Sequence, residues 1–190
     1  MSEKEYGNAG PMGLTAFAAT AFMLGVFNAG LLHKTGMPIV LDMALLYGGL
    51  LQIICAVLEI VGGNTFVATV FGTYGSLWVT YGAFGLWFEP MIPKVDIPSA
   101  VALFLAMFAV ATLYFFVASF KTTWMHVIIF GLVLIALVLL VLGAALGIES
   151  LDLTAGWLTI IFSVLTWYLA ASQLIASTWG REILPLGHIK

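Results

Sequence analysis

Apolar side chains run almost without interruption through six stretches of the chain, and the charged residues fall almost entirely between them. The stretches read Leu14 to His33, Pro38 to Val61, Thr65 to Phe88, Ile97 to Phe120, Met125 to Gly147 and Ala155 to Ala176. Each is long enough to cross hydrocarbon of about 30 Å as a helix, whose backbone hydrogen bonds are all satisfied within the segment. The pattern predicts an all-α integral membrane protein, a single domain over residues 1–190 with six transmembrane helices. The first stretch does not read as a cleaved leader, because it is long, follows the acidic-leaning Glu3, Lys4 and Glu5, and is succeeded by five more.

The basic residues orient this bundle. Lys4, Lys121, Arg181 and Lys190 fall in the tails and even-numbered loops, against Lys34 and Lys94 in the odd loops, which predicts both termini in the cytoplasm. Trp124 and Trp179 then sit at the inner interface and Trp87 and Trp157 at the outer one, where an amphipathic indole is favoured. Trp78 and Trp167 fall in mid-span and are expected to pack inside the bundle, where an indole N–H needs a partner. A composition of 63% hydrophobic and 8% charged residues, with a mean hydropathy of +1.14, leaves little room for ordinary enzyme chemistry. A net charge of −3 without a basic block argues against nucleic acid, so membrane lipid is the expected surrounding. The single Cys55 excludes an intrachain disulfide framework and reads as apolar filler.

Candidate chemistry is sparse. No His and Cys cluster has metal-ligand spacing, no Gly-rich phosphate loop follows a strand, and no nucleophile is paired with a base. No enzyme, metal site or cofactor is therefore expected. Asp42, Glu59, His33 and His126 lie near span ends, where capping or snorkelling to interfacial water explains them. Glu59 has a second reading as a proton site, because Gly48, Gln52, Cys55 and Glu59 form one small and polar helical stripe that can line a path. Most of the intramembrane hydroxyls, including Thr15, Thr20, Thr112 and Thr166, can bond the carbonyl one turn back. Asn28 and Gln52 cannot be satisfied so easily, since a carboxamide carries two donors and an acceptor.

Two further signals each have two readings. Gly25, Gly30, Gly48, Gly49, Gly72, Gly75, Gly82 and Gly85 permit close helix contact, or alternatively a narrow pore between closely approached helices. Asn8 ahead of Pro11, and Asn64 ahead of Thr65 and Phe66, mark helix starts whose free N–H groups favour a small carboxylate, although ordinary capping explains each start alone.

The stretch Asn8-Ala9-Gly10-Pro11-Met12-Gly13-Leu14-Thr15-Ala16-Phe17 resembles the opening signature of the acetate uptake transporter family, the succinate-acetate permeases: N-P-A-P-L-G-L followed shortly by F. Asn8, Pro11, Gly13, Leu14 and Phe17 keep that pattern, whereas Ala9, Gly10 and Met12 depart from it. Asn28-Ala29-Gly30, Tyr47-Gly48-Gly49 with Gln52 and Glu59, Gly63-Asn64-Thr65-Phe66, Thr73-Tyr74-Gly75-Ser76 with Trp78, Ala155-Gly156-Trp157, and Gly180-Arg181 with Leu184-Pro185-Leu186-Gly187 are similar to the same family in order.

The resemblance implies a six-helix protomer with its own central pore, a homohexamer, and passage of acetate and sometimes succinate. It implies a hydrophobic constriction of a Phe, a Tyr and a Leu, matched by Phe17 and Tyr74 and, by counting from Lys121 and Gly143, by Val133 in place of Leu. Thr166 falls at a pore-side position that is small in relatives. The expected substrate contacts are Asn8, Pro11, Gly13, Leu14, Thr15, Asn28, Gln52, Asn64, Thr65 and Thr166, in the plasma (inner) membrane of a prokaryote. Independently of the resemblance, Phe17, Ala21, Leu24 and Asn28 share one helical face, so an aromatic constriction and a carboxamide can line one path. The absence of an ionisable relay at mid-span favours channel-like passage of the acid or its anion over proton symport. A pore for a neutral amide such as urea, and a structural or sensory membrane protein without flux, are the competing readings.

Overall fold

A computed structural model describes residues 7–189; the tail residues Glu3, Lys4, Glu5 and Lys190 lie outside that range. The described chain is helical almost throughout. Helix α1 is Gly10–Asn28, α4 is Ile97–Ser119, α5 is Trp124–Leu146 and α6 is Glu149–Trp179. Helix α2, residues 38–61, joins Pro38–Met43, a wider-wound Ala44–Leu51 and Gln52–Val61. Helix α3, residues 65–88, is Thr65–Ala83 continued by a wide-wound Phe84–Phe88. Short turns join consecutive helices, so α1, α3 and α5 begin at one end of the bundle, called the near end, and finish at the far end.

Two helices differ in extent from the hydrophobic runs, for local reasons. Helix α1 starts at Gly10 rather than Leu14 because Pro11 suits a first turn and Asn8 Oδ1 accepts from the Gly10 N–H at 2.7 Å. It stops before the apolar Leu31 and Leu32, since Gly30 adopts φ +72°, a conformation that suits glycine. Helix α6 starts well before Ala155, with Glu149 and Asp152 in its first turn, where carboxylates favour the positive end of the helix dipole.

Among the described residues, five helices are long and apolar enough to cross a membrane: Gly10–Asn28, Lys34–Val61, Ile97–Ser119, Trp124–Leu146 and Glu149–Trp179. Helix α3 has the length but is diluted by Thr65, Thr69, Thr73, Ser76 and several glycines. Its Phe71, Tyr74 and Trp78 are buried among the other helices. By contrast α4 presents Leu103, Met107, Val110, Leu113 and Val117 outward, an apolar face suited to lipid or a neighbouring protomer.

Of the two readings for the glycines, close contact is the one their surroundings fit. A Cβ on Gly25 would lie 3.0 Å from the Ile160 backbone N, and one on Gly156 would strike Asn28 and Ala29, so α1 and α6 meet backbone to backbone. Gly75 approaches the Gly49 carbonyl and Gly82 the Leu41 carbonyl, which seats α3 on α2 in the same way. Gly48 lies against Thr20, so the wide turns of α2 hold α1 closely too. Beyond α6 the chain returns across the near end. Trp124 and Met125 N–H, left free at the start of α5, donate to the Gly187 and Leu186 carbonyls at 2.8 and 3.2 Å.

Candidate functional site

Helices α1, α3, α5 and α6 run past two cavities that share three wall residues, Phe17, Tyr74 and Val133; α4 adds Val101, Phe104 and Leu105 to the far cavity and α2 adds Gln52 to the near one. The far cavity has a volume of about 280 Å³ and the near one about 30 Å³. The order of lining residues along each helix shows that the cavities are stacked end to end. On α1, Leu14 lines the near cavity and Ala21, Leu24 and Asn28 the far one, with Phe17 between. On α3 the sequence is Phe71, Tyr74, Leu77; on α5 it is Phe130, Val133, Ala136; on α6 it is Thr166, then Phe162 and Thr159. Each helix steps past the partition at one level.

The partition is an aromatic wall. Phe17 lies 5.1 Å from Tyr74 and 6.0 Å from Phe162, centroid to centroid, and its edge meets Trp78 at 6.4 Å. Phe17, Tyr74 and Val133 are each at most 7% exposed. Tyr74 is braced from outside the wall by Phe115 at 5.8 Å, and its hydroxyl lies 2.8 Å from Thr112 Oγ1. Phe17, Phe162 and Val133 carry no hydrogen-bond donor and the Tyr74 hydroxyl is held by Thr112, which leaves Trp78 Nε1–H as the unpaired donor beside this ring, so a hydrated ion meets a surface that replaces little of its water.

The two sides of the wall differ in polarity. The far cavity opens among Asn28, Lys34 and Asp152, which combine a carboxamide with one charge of each sign. The near cavity is lined by Leu14, Val70, Phe71 and Ile129, with Gln52 and Thr166 as its polar residues. Gln52 is fully buried, and neither Oε1 nor Nε2 has a partner in the structure. An unpaired buried amide costs about 1–3 kcal/mol, which marks Gln52 as the most costly residue near the wall. Thr166 is satisfied, its hydroxyl donating to the Phe162 carbonyl at 2.7 Å.

The expected contacts thus separate into two groups. Leu14, Gln52 and Thr166 line the near cavity and Asn28 the far one. Asn8, Pro11, Gly13 and Thr15 instead build the start of α1: the Thr15 hydroxyl donates to the Pro11 carbonyl at 2.7 Å, and a Cβ on Gly13 would lie 2.5 Å from the Phe71 ring. Asn64 caps α3 by accepting from the Val67 N–H at 3.2 Å, and the Thr65 carbonyl accepts from the Thr69 hydroxyl; both residues stand at the surface and line neither cavity. Capping therefore accounts for both helix starts in this geometry. The stripe through α2 does not form a path, because Gly48 and Cys55 pack into the bundle and only Gln52 reaches a cavity wall. Glu59 is 6% exposed and lines neither cavity, so its place near a span end does not bring it to open water in this fold.

Several wall residues carried no distinctive signal in the sequence. Phe162 stands one turn from Thr166 on α6 and was readable only as a hydrophobic position. Trp78 packs inside, as its mid-span place suggests, yet its Nε1–H has no partner. Trp167 is half-buried and stacks on Phe22 at 5.1 Å.

Comparison with known proteins agrees with this architecture. The sequence pattern of the GPR1/FUN34/yaaH family matches residues 1–184. The chain is 32% identical over 189 residues to the succinate-acetate/proton symporter SatP of Escherichia coli K12, covering 98% of both proteins. It is 31% identical over 169 residues to ammonia transport outward protein 2 of Saccharomyces cerevisiae, covering 86% of this chain and 60% of the yeast protein. Among solved structures, that of the bacterial acetate channel SatP superimposes with a TM-score of 0.89 at 31% identity, covering 96% of this chain and all of the other. On this sequence match and this shared fold, the chain belongs to the GPR1/FUN34/yaaH family.

Proposed function

We propose that this protein passes acetate and related small monocarboxylates, succinate among them, across the inner membrane of a prokaryote. The observation that carries the reading is the partition itself: Phe17, Tyr74 and Val133 are the residues common to the walls of both cavities. They form the constriction. In this reading all six helices cross the bilayer, α3 included because its polar residues face protein, and both termini lie in the cytoplasm. The outward apolar face of α4 meets a neighbouring protomer in a homohexamer.

The far cavity faces outside and gathers the carboxylate at Asn28 and Lys34, where the lysine charge offsets the cost of leaving bulk water. At the constriction the acid must shed its remaining water, which limits passage by size and charge and lets the throat close by dewetting. Gln52, on the near side, has donors to replace part of that water. Among the described residues, Asp152 at the far mouth is the one carboxylate in either cavity wall. A proton relay through the throat therefore lacks a side chain to carry it, and passage is channel-like.

The test is uptake of radiolabelled acetate into liposomes containing the purified protein, with the pH gradient and the membrane voltage imposed separately. Flux that follows voltage and the acetate gradient without an inward proton gradient is expected. Accumulation driven only by protons contradicts channel-like passage, and absence of flux from folded protein contradicts the reading altogether.

A further inference from the structure

Thr112 touches neither cavity, yet it holds one of the three residues that divide them. Its hydroxyl has a single proton, and that proton goes to the Phe108 carbonyl, one turn back on α4, at 2.8 Å. The Tyr74 hydroxyl, 2.8 Å away, must then be the donor and Thr112 Oγ1 the acceptor. Thr112 is fully buried and Tyr74 is 3% exposed, so water does not compete for this bond. One turn further along α4, Phe115 meets the Tyr74 ring edge-on. Two side chains of one helix thus hold the tyrosine by its tip and by its ring.

We infer that Thr112 is a positioning residue for selectivity: it fixes the Tyr74 ring in the wall and draws the hydroxyl proton out of the throat. The inference rests on the reading of Tyr74 as part of the constriction. Both consequences follow from the one bond. A tyrosine without this acceptor has a buried donor to satisfy, and the free volume beside its ring is that of the two cavities it divides. Turning there would both change the width of the throat and place a donor in the path of the carboxylate. With Thr112 in place, the passing acid meets only the ring.

The experiment compares T112V, which keeps the shape but removes the acceptor, with T112S, which keeps the hydroxyl, and with T112A in case valine does not fold. The first readout is the motion of the Tyr74 ring by ¹³C-tyrosine NMR in lipid, its signal assigned by its loss in Y74F. Ring flipping is expected to speed up by about tenfold in T112V or T112A and to stay at the wild-type rate in T112S. The second is the ratio of acetate to butyrate uptake in liposomes. That ratio is expected to fall about threefold in T112V, to be restored in T112S, and to change no further when T112V is added to Y74F. An unchanged ring rate in T112V and T112A overturns the inference, as does a T112V effect that persists in full in the Y74F background. If the wild type moves no acetate, the proposed function fails while the ring measurement still decides the role of Thr112.

Discussion

On the two sides of one aromatic wall this protein keeps cavities of opposite character. The far one is about 280 Å³ and opens beside Lys34, Asn28 and Asp152; the near one is about 30 Å³, room for about two waters, and holds a buried carboxamide without a partner. The far side can therefore admit a hydrated solute, whereas the near side can receive one only after its water is gone. In the proposed reading, selection falls at the wall and the small pocket behind it. Charge at a wide mouth raises local concentration without discriminating size, and an apolar throat followed by a tight pocket discriminates both.

Closing the wall is expected to have the largest effect. Val133→Phe adds a ring at the level of Phe17 and Tyr74, so acetate uptake into liposomes is expected to fall by about tenfold or more, with the helical circular dichroism retained. Uptake near the wild-type rate would mean that solute does not pass between the two cavities.

Gln52→Leu removes the carboxamide from the near side. Because its two polar atoms are unpaired when the pocket is empty, the substitution is expected to stabilise the protein by about 1–3 kcal/mol in thermal unfolding while slowing acetate uptake several-fold. A lower unfolding midpoint would show that Gln52 is paired in the membrane. A similar uptake rate would remove it from the path.

The far mouth is expected to be less sensitive. Lys34→Gln should lower uptake about twofold at low ionic strength and hardly at all in high salt, because an exposed charge acts over a Debye length. Equal loss at all salt concentrations would assign Lys34 a direct contact instead. Smallest of all is the effect expected of Glu59→Gln, which lines neither cavity and should leave uptake and its pH profile as they are.

How much of this was readable before folding depended on whether a signal was local to one helix. The shared face of Phe17, Ala21, Leu24 and Asn28 follows from helical spacing, and all four do line the far cavity. Val133 was reachable only through resemblance, since one valine in the apolar α5 has no pattern of its own. Thr112 meets Tyr74 and Phe162 meets Phe17 across helices, and no spacing along the chain encodes such contacts. Helix ends misled in both directions for one reason. Hydropathy places Leu31 and Leu32 in a span and excludes Glu149 and Asp152, while backbone geometry at Gly30 and the helix dipole do the opposite. Asn8 and Asn64 each accept from an N–H at a helix start, as ordinary capping predicts, and neither lines either of the two cavities.

The most direct test of the account is the uptake of acetate, propionate and butyrate by wild type and Phe17→Ala side by side in liposomes. Removing the ring shared by both cavities is expected to raise butyrate uptake relative to acetate by about tenfold and to leave the order of preference otherwise intact. Identical flux ratios in the two proteins would contradict the claim that this wall selects what passes.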